Sequence, residues 1–143
     1  MDMDQKLILT SALRTQGHKI TKNRTAILEF LSNQSEPIAA DEILAHIQSE
    51  HHGVNKTTIY RELFFLLEHN FIHEVELGDG KKRYEIALNR PHHHHIVCIN
   101  CKKITDIPLE KELEGIELEI EKSTGYALSS HMLEFFGLCK SCK

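Results

Sequence analysis

The chain has 143 residues, 41% hydrophobic and 27% charged, with a formal net charge of −4. On length that is about one domain, and the balance excludes a disordered or collagen-like chain. No apolar run reaches the roughly 18 residues of a membrane helix, and Met1-Asp2-Met3-Asp4 lacks the basic flank of a secretory signal. The expected location is therefore the cytoplasm, with no membrane partner. A pI near 6.2 gives no general attraction to nucleic acid, so DNA binding must rest on a local basic surface.

Arg14, Lys19, Lys22 and Arg24 supply such a surface, with no acid among them. The plain alternative is a solvated helix end. A first helix is expected over about residues 4–16, carrying Leu7, Ile8 and Leu13. Thr21 can cap a second that runs to about Leu31 with Ile27, Leu28 and Leu31 at helical spacing. A third covers about Ala40–Gln48 with Ile43, Leu44 and Ile47. Asn55 caps a fourth, Lys56 to about His69, with Ile59, Leu63, Leu66 and Leu67 inward. The period then changes: Ile72, Val75 and Leu77, then Tyr84 and Ile86, flank Gly78-Asp79-Gly80, a β-hairpin pattern.

Helices followed by a hairpin make a winged helix-turn-helix, whose last helix enters the major groove. Lys56, Thr57, Thr58, Tyr60 and Arg61 cluster in the first turns of that helix, offering phosphate and base-edge donors and a ring for a thymine methyl. Lys81, Lys82 and Arg83 on the hairpin would face backbone phosphates. A wing-like fold that binds protein is the alternative, and three basic elements on one side weigh against it. The fold class expected is α+β, with a DNA-binding domain over residues 1–88, a hinge at 89–91 and a metal-binding domain over residues 92–143. The latter holds a strand with Ile96, Val97 and Ile99, a short strand near Ile104–Ile107, a helix from about Leu109 carrying Leu113, Ile116 and Ile120, and a final strand from Tyr126 to Phe136. About 50 residues bury too little apolar surface to fold alone, so metal, a partner or both are needed.

Cys98, Cys101, Cys139 and Cys142 form two Cys-x-x-Cys pairs, each presenting half a tetrahedron to a structural Zn²⁺. Two redox pairs would need a thioredoxin-like context that is absent. His92, His93, His94 and His95 lead into a strand, so His93 and His95 share one face and His92 and His94 the other. Glu85 is a candidate partner for the first pair; His131 and a helix carboxylate are candidates for the second. Imidazole with carboxylate suits Fe²⁺, Mn²⁺ or Zn²⁺. A zinc hydrolase built on the histidines is disfavoured, because no substrate pocket or general base is evident.

Taken in order, Gly17-His-Lys-Ile-Thr-Lys-Asn-Arg24, Thr57-Thr-Ile-Tyr-Arg61, His92-His-His-His-His-Ile-Val-Cys-Ile-Asn-Cys101 and Gly137-Leu-Cys-Lys-Ser-Cys142 resemble the ferric uptake regulator family of metal-responsive bacterial repressors. The resemblance spans nearly the whole chain. It implies a repressor that binds AT-rich palindromic operators as a homodimer, with a tetramer left open, through a C-terminal α/β dimerisation domain. It implies Lys19 as a minor-groove contact and Tyr60 and Arg61 as recognition-helix contacts. The four cysteines match the structural zinc ligands, and Glu85, His93 and His95 match the regulatory site between the domains. The family's usual further histidine is replaced by Glu36-Pro37, which leaves Glu36, His69 or His73 as the fourth ligand. His92 and His131 match a second sensor site; His94 stands where an aspartate is common, and Glu114 is the expected carboxylate, with Glu112 and Glu117 as rivals. Asp106 matches a ligand position of the peroxide-sensing branch. Iron is the first choice of regulatory metal, with zinc, manganese and peroxide sensing as alternatives.

Overall fold

The computed structural model describes residues 3–88 and 90–143. Asn89, the first residue of the expected hinge, lies outside them. The chain divides into two compact units, Met1–Arg90 and Pro91–Lys143.

In the first unit the order is α1 (Met3–Thr15), α2 (Lys22–Ser32), β1 (Ile38–Ala39), α3 (Ala40–Glu50), α4 (Lys56–Glu68), β2 (Ile72–Glu76) and β3 (Lys82–Ile86). Local chemistry sets the helix ends. The Thr21 hydroxyl accepts from the Arg24 N–H at 3.2 Å, and the Asn55 side-chain Oδ1 accepts from the Thr58 N–H at 2.9 Å. Each satisfies an N-terminal amide that has no partner within the helix. Helix α1 stops because Gly17 takes φ +77°, letting the His18 N–H turn back to the Leu13 carbonyl at 2.9 Å. Asn70, at φ 60°, ends α4 in the same way, with the Phe71 N–H on the Leu66 carbonyl at 2.9 Å.

The helices and hairpin close on one core, in which Ile27, Ile43, Ile47, Ile59, Leu66, Phe71 and Ile72 are sealed from solvent. Leu44 and Leu67, expected inside, pack half-buried at its margin. The first helix differs from expectation. Leu9 and Leu13, one turn apart, face the core, whereas Leu7 and Ile8 are exposed because α2 covers only the 9/13 side. The sheet order is β1-β3-β2, all antiparallel, and pairs Ile72 with Ile86 and His73 with Glu85. Strand β1 was not foreseen, since two residues are too short to show a period.

The second unit contains β4 (His94–Cys98), β5 (Ile104–Ile107), α5 (Glu110–Thr124) and β6 (Glu134–Gly137). Its sheet order is β5-β4-β6, with β4 antiparallel to β5 and parallel to β6. The final strand is much shorter than the expected Tyr126 to Phe136. It extends only where β4 offers partners, from His95 opposite Glu134 to Cys98 opposite Gly137. His131 therefore precedes the strand rather than lying in it. No helix among the described residues is long and apolar enough to cross a membrane.

Candidate metal centres and nucleic-acid interface

The four cysteines come together at one end of the second sheet, all as free thiols. The sulfurs of Cys101 and Cys139 are 3.7 Å apart. A disulfide is far shorter, whereas a tetrahedron built on Zn–S bonds of about 2.3 Å has an edge of about 3.8 Å. The backbone N–H of Cys139 reaches the Cys98 sulfur at 3.4 Å. Together with the amides of Cys101 and Asn100 it holds the Cys98 thiol down to about 6. The Asn100 side chain pulls the Cys142 thiol down, but the neighbouring sulfurs, Cys139 first, and burial push it up to about 11. Four adjacent sulfurs cannot all ionise unless a cation balances them, and this donor set fits Zn²⁺.

The histidine run divides between two clusters. The Nε2 atoms of His92, His94 and His131 lie 3.1 Å apart in all three pairings. The His94 Nδ1–H donates to the Leu133 carbonyl at 2.9 Å, and the His131 Nδ1–H donates to the Glu117 carboxylate. A neutral ring with its proton on Nδ1 presents a lone pair at Nε2. His94 and His131 thus turn lone pairs toward each other. A shared proton could relieve one pairing but not three, whereas one divalent cation relieves all of them. The spacing suits the face of a tetrahedron with Zn–N of about 2.0–2.1 Å, whose edge is about 3.3 Å. The carboxylate here is Glu117, not the expected Glu114, which is exposed. It orients a ligand by holding the other ring nitrogen, a role that strengthens imidazole binding.

His93 and His95 form the other pair, their ring centroids 4.9 Å apart. Sheet register lines up Asp106 on β5, His95 on β4 and Glu134 on β6 in one row. Glu134 accepts from His95 Nδ1–H and from its backbone N–H, each at 3.2 Å. The His93 Nδ1–H donates to the Pro91 carbonyl at 3.0 Å. Both Nε2 atoms approach Oδ1 of Asp106, at 4.0 Å from His93 and 3.7 Å from His95. Two imidazoles and one carboxylate are a donor set that suits Fe²⁺, Mn²⁺ or Zn²⁺. Glu134 was not foreseen, because a parallel partner far along the chain leaves no local signal.

Of the remaining ligand candidates, Glu112 is exposed on α5. In the first unit, Glu85 lies on β3 opposite His73, with its Oε2 3.3 Å from the Arg90 guanidinium. Glu36 is exposed in the loop before β1. The ring of His69 packs on that of His18, with centroids 4.3 Å apart, and its Nδ1 is 2.8 Å from the Phe65 carbonyl.

The same unit carries the DNA candidates. Thr57, Tyr60 and Arg61 line the exposed side of α4, with the Lys56 ammonium 5.5 Å from the Tyr60 ring centre. Thr58 is engaged at the helix start, its hydroxyl donating to Asn55 at 3.0 Å. Arg24 is committed inside the unit. Its guanidinium pairs with Glu62 at 2.8 Å, donates to the Lys19 carbonyl at 2.8 Å and lies 3.7 Å above the Phe65 ring. It thereby fixes the loop that presents the exposed Lys19 beside α4. On the hairpin, Arg83 pairs with Asp79 at 2.6 Å and Lys82 with Glu74 at 3.7 Å.

A family model described as the ferric uptake regulator family matches residues 15–136. The chain is 32% identical over 132 residues to the peroxide operon regulator of Bacillus subtilis, covering 91% of this chain and 88% of that protein. It is 30% identical over 133 residues to the peroxide-responsive repressor PerR of Staphylococcus saprophyticus, covering 93% and 88%. Among solved structures, the Helicobacter pylori ferric uptake regulator, reported to have three functional metal-binding sites, superposes with a TM-score of 0.74. That comparison has 29% identity and covers 98% of this chain and 93% of the other.

Proposed function

This chain belongs to the ferric uptake regulator family and is a metal-dependent DNA-binding repressor rather than an enzyme; from that premise we propose that it binds AT-rich palindromic operators as a homodimer in the cytoplasm and controls metal uptake genes, iron first. The observation that carries metal gating is the tethering of His93, His94, His95 and His131. Each has Nδ1 within reach of a carbonyl or carboxylate, which leaves Nε2 directed at other donors. The mixed nitrogen and oxygen set of His93, His95 and Asp106 suits Fe²⁺, Mn²⁺ or Zn²⁺ there. Zn²⁺ is assigned to Cys98, Cys101, Cys139 and Cys142.

When bound, a divalent cation supplies several strong directional bonds that fix its ligands relative to one another. Glu36 is carried over as a further regulatory ligand on the family resemblance, and Glu85 on that resemblance and on its place near the end of the second hairpin strand, shortly before the histidine run in the chain. In the proposed mechanism, which the family resemblance implies, metal binding locks the dimer in a DNA-competent shape, so the DNA-binding units sample fewer orientations. Fewer orientations remove a penalty on operator binding, and by linkage DNA tightens metal binding by the same factor. The dimer reading is supported by Ile116, Phe135 and Phe136 of the second unit, 52%, 36% and 50% exposed, which a second copy would cover.

The test is fluorescence anisotropy on an AT-rich inverted-repeat duplex, with metal-stripped protein titrated anaerobically with Fe²⁺, Mn²⁺ or Zn²⁺. Strong stimulation by Fe²⁺ or Mn²⁺, lost in His93→Ala while the dimer persists, is expected. Equal affinity with and without metal overturns the gating.

A second reading, peroxide sensing, is favoured by the approach of Asp106 to both histidines and by the names of the two curated relatives. Fe²⁺ reacts with peroxide where Mn²⁺ does not. This reading expects peroxide to abolish Fe²⁺-stimulated binding and to spare the Mn²⁺ form; equal resistance of both forms removes it.

A further inference from the structure

We propose that Phe64 is a specificity-determining residue that reads the C5-methyl group of a thymine in the operator, a reading that rests on the DNA-binding role of α4. Residues 64 and 65 are both phenylalanine, and the fold treats them in opposite ways. Phe65 lies under the Arg24 guanidinium, its ring centre 4.9 Å from that of His18. Phe64 points away from that packing and is 66% exposed, more than any other described aromatic residue of the first unit. Leu63 and Leu66 already close the core on either side of it. Phe64 is therefore not left over from an unfinished core.

Its neighbours identify the occupant. Thr57, Tyr60, Arg61 and Phe64 fall at i, i+3, i+4 and i+7, one continuous exposed stripe. Lys56 and Arg61 make the N-terminal part of the stripe positive, complementary to phosphate; Glu68, one turn beyond Phe64, marks where the stripe stops suiting an anionic partner. A phenyl ring neither donates nor accepts a hydrogen bond, so it cannot read base-edge polar groups. The one apolar group that a base pair presents in the major groove is the thymine methyl. Phe64 lies four residues beyond Tyr60, a rise of about 6 Å along the helix. That corresponds to about two base steps. The two rings therefore read two different thymines.

The test begins by selecting an inverted-repeat duplex from a random AT-rich library with the Mn²⁺-loaded full-length protein. Each thymine of both half-sites is then replaced by deoxyuridine, which deletes only the methyl. The wild type is expected to lose about three- to fivefold in affinity per half-site at two thymines about two base pairs apart. Phe64→Ala should abolish the loss at one and keep it at the other, with metal stimulation and the dimer unchanged. Phe64→Leu, which keeps apolar bulk, should retain part of the sensitivity. The inference is overturned if Phe64→Ala shows the wild-type loss at every thymine, or weakens all duplexes equally whatever their sequence. A wild-type protein that selects no sequence and shows no metal stimulation overturns the repressor reading itself, and this inference with it.

Discussion

In the first unit Ile27, Ile43, Ile47, Ile59, Leu66, Phe71 and Ile72 are each 0% exposed, a hydrocarbon core closed by four helices and a hairpin. In the second, Val97 and Cys98 are the apolar side chains buried among the described residues, beside His94 and His95. The first unit is held by apolar burial, at about 1.5–3 kcal/mol per large side chain. The second brings sulfur and imidazole donors together where a core would otherwise be, and leaves Ile116, Ile120 and Phe136 on its surface. Its stability therefore depends on what those donors hold and on what covers that apolar face. A unit built this way is suited to respond to metal, whereas the first is suited to present a rigid surface.

The sharpest way to break the contrast is at the cysteines. Cys98→Ala, or removal of metal by a strong chelator, should abolish amide-exchange protection across β4 and β6 and leave α2 and α4 protected. Structural zinc sites contribute about 10–16 kcal/mol of apparent binding energy, which is then lost. Protection that survives in β4 would show that the second unit folds without its sulfur-bound ion. Next in size is Leu63→Ala in the first unit, expected to cost about 2–5 kcal/mol through the lost contacts and the cavity left behind. Calorimetry should show the first unit melting earlier, with zinc content unchanged; a parallel loss of zinc would deny the independence of the two units.

A smaller effect is expected from Glu117→Gln, which weakens the hold on His131 Nδ1. Metal affinity at His92, His94 and His131 should fall about 10–100-fold while the cysteine site keeps its zinc. Unchanged affinity in competition titrations would remove Glu117 from that site. The smallest effect lies on the wing. The Arg83 side chain beside Asp79, with the Lys81 N–H, holds the Asp79 carboxyl well below its ordinary value of 3.8. The folded value is depressed, so the pairing stabilises the hairpin fully above that ordinary value, and the gain disappears as pH falls through the folded one. Asp79→Asn should flatten the acid dependence of amide exchange in β2 and β3 between about pH 5 and pH 2. An unchanged slope would mean that the pair contributes nothing to the wing, as exposed ion pairs often do.

Much of the fold is legible because its signals are local. Thr21 and Asn55 cap the helices they precede, the turn Gly78-Asp79-Gly80 sits between strands, with Gly78 at φ 80° and Gly80 at φ 74°, and the buried stripe of α2 follows a period of 3.6. The cysteine pairs and the histidine run name their own chemistry by residue type and spacing. Errors fall where a signal must come from far along the chain. In α1 the expected Leu13 is buried, but its partner in the core is Leu9 rather than the expected Leu7 and Ile8, because α2 makes that choice. Arg24 looked like one more cation of a basic patch until Glu62, 38 residues on, was brought against it.

By itself, then, the amino-acid order determined the class of fold, the two regions and the donor types available for metal, since these depend on periodicity, turn residues and spacing. Tertiary structure decided which donors meet: Glu117 rather than Glu114 on His131, and Glu134 and Asp106 on either side of His95. Those choices follow from strand register and helix placement. A shift of one residue in register would turn every side chain of β6 to the opposite face, and nothing in the neighbouring sequence specifies it.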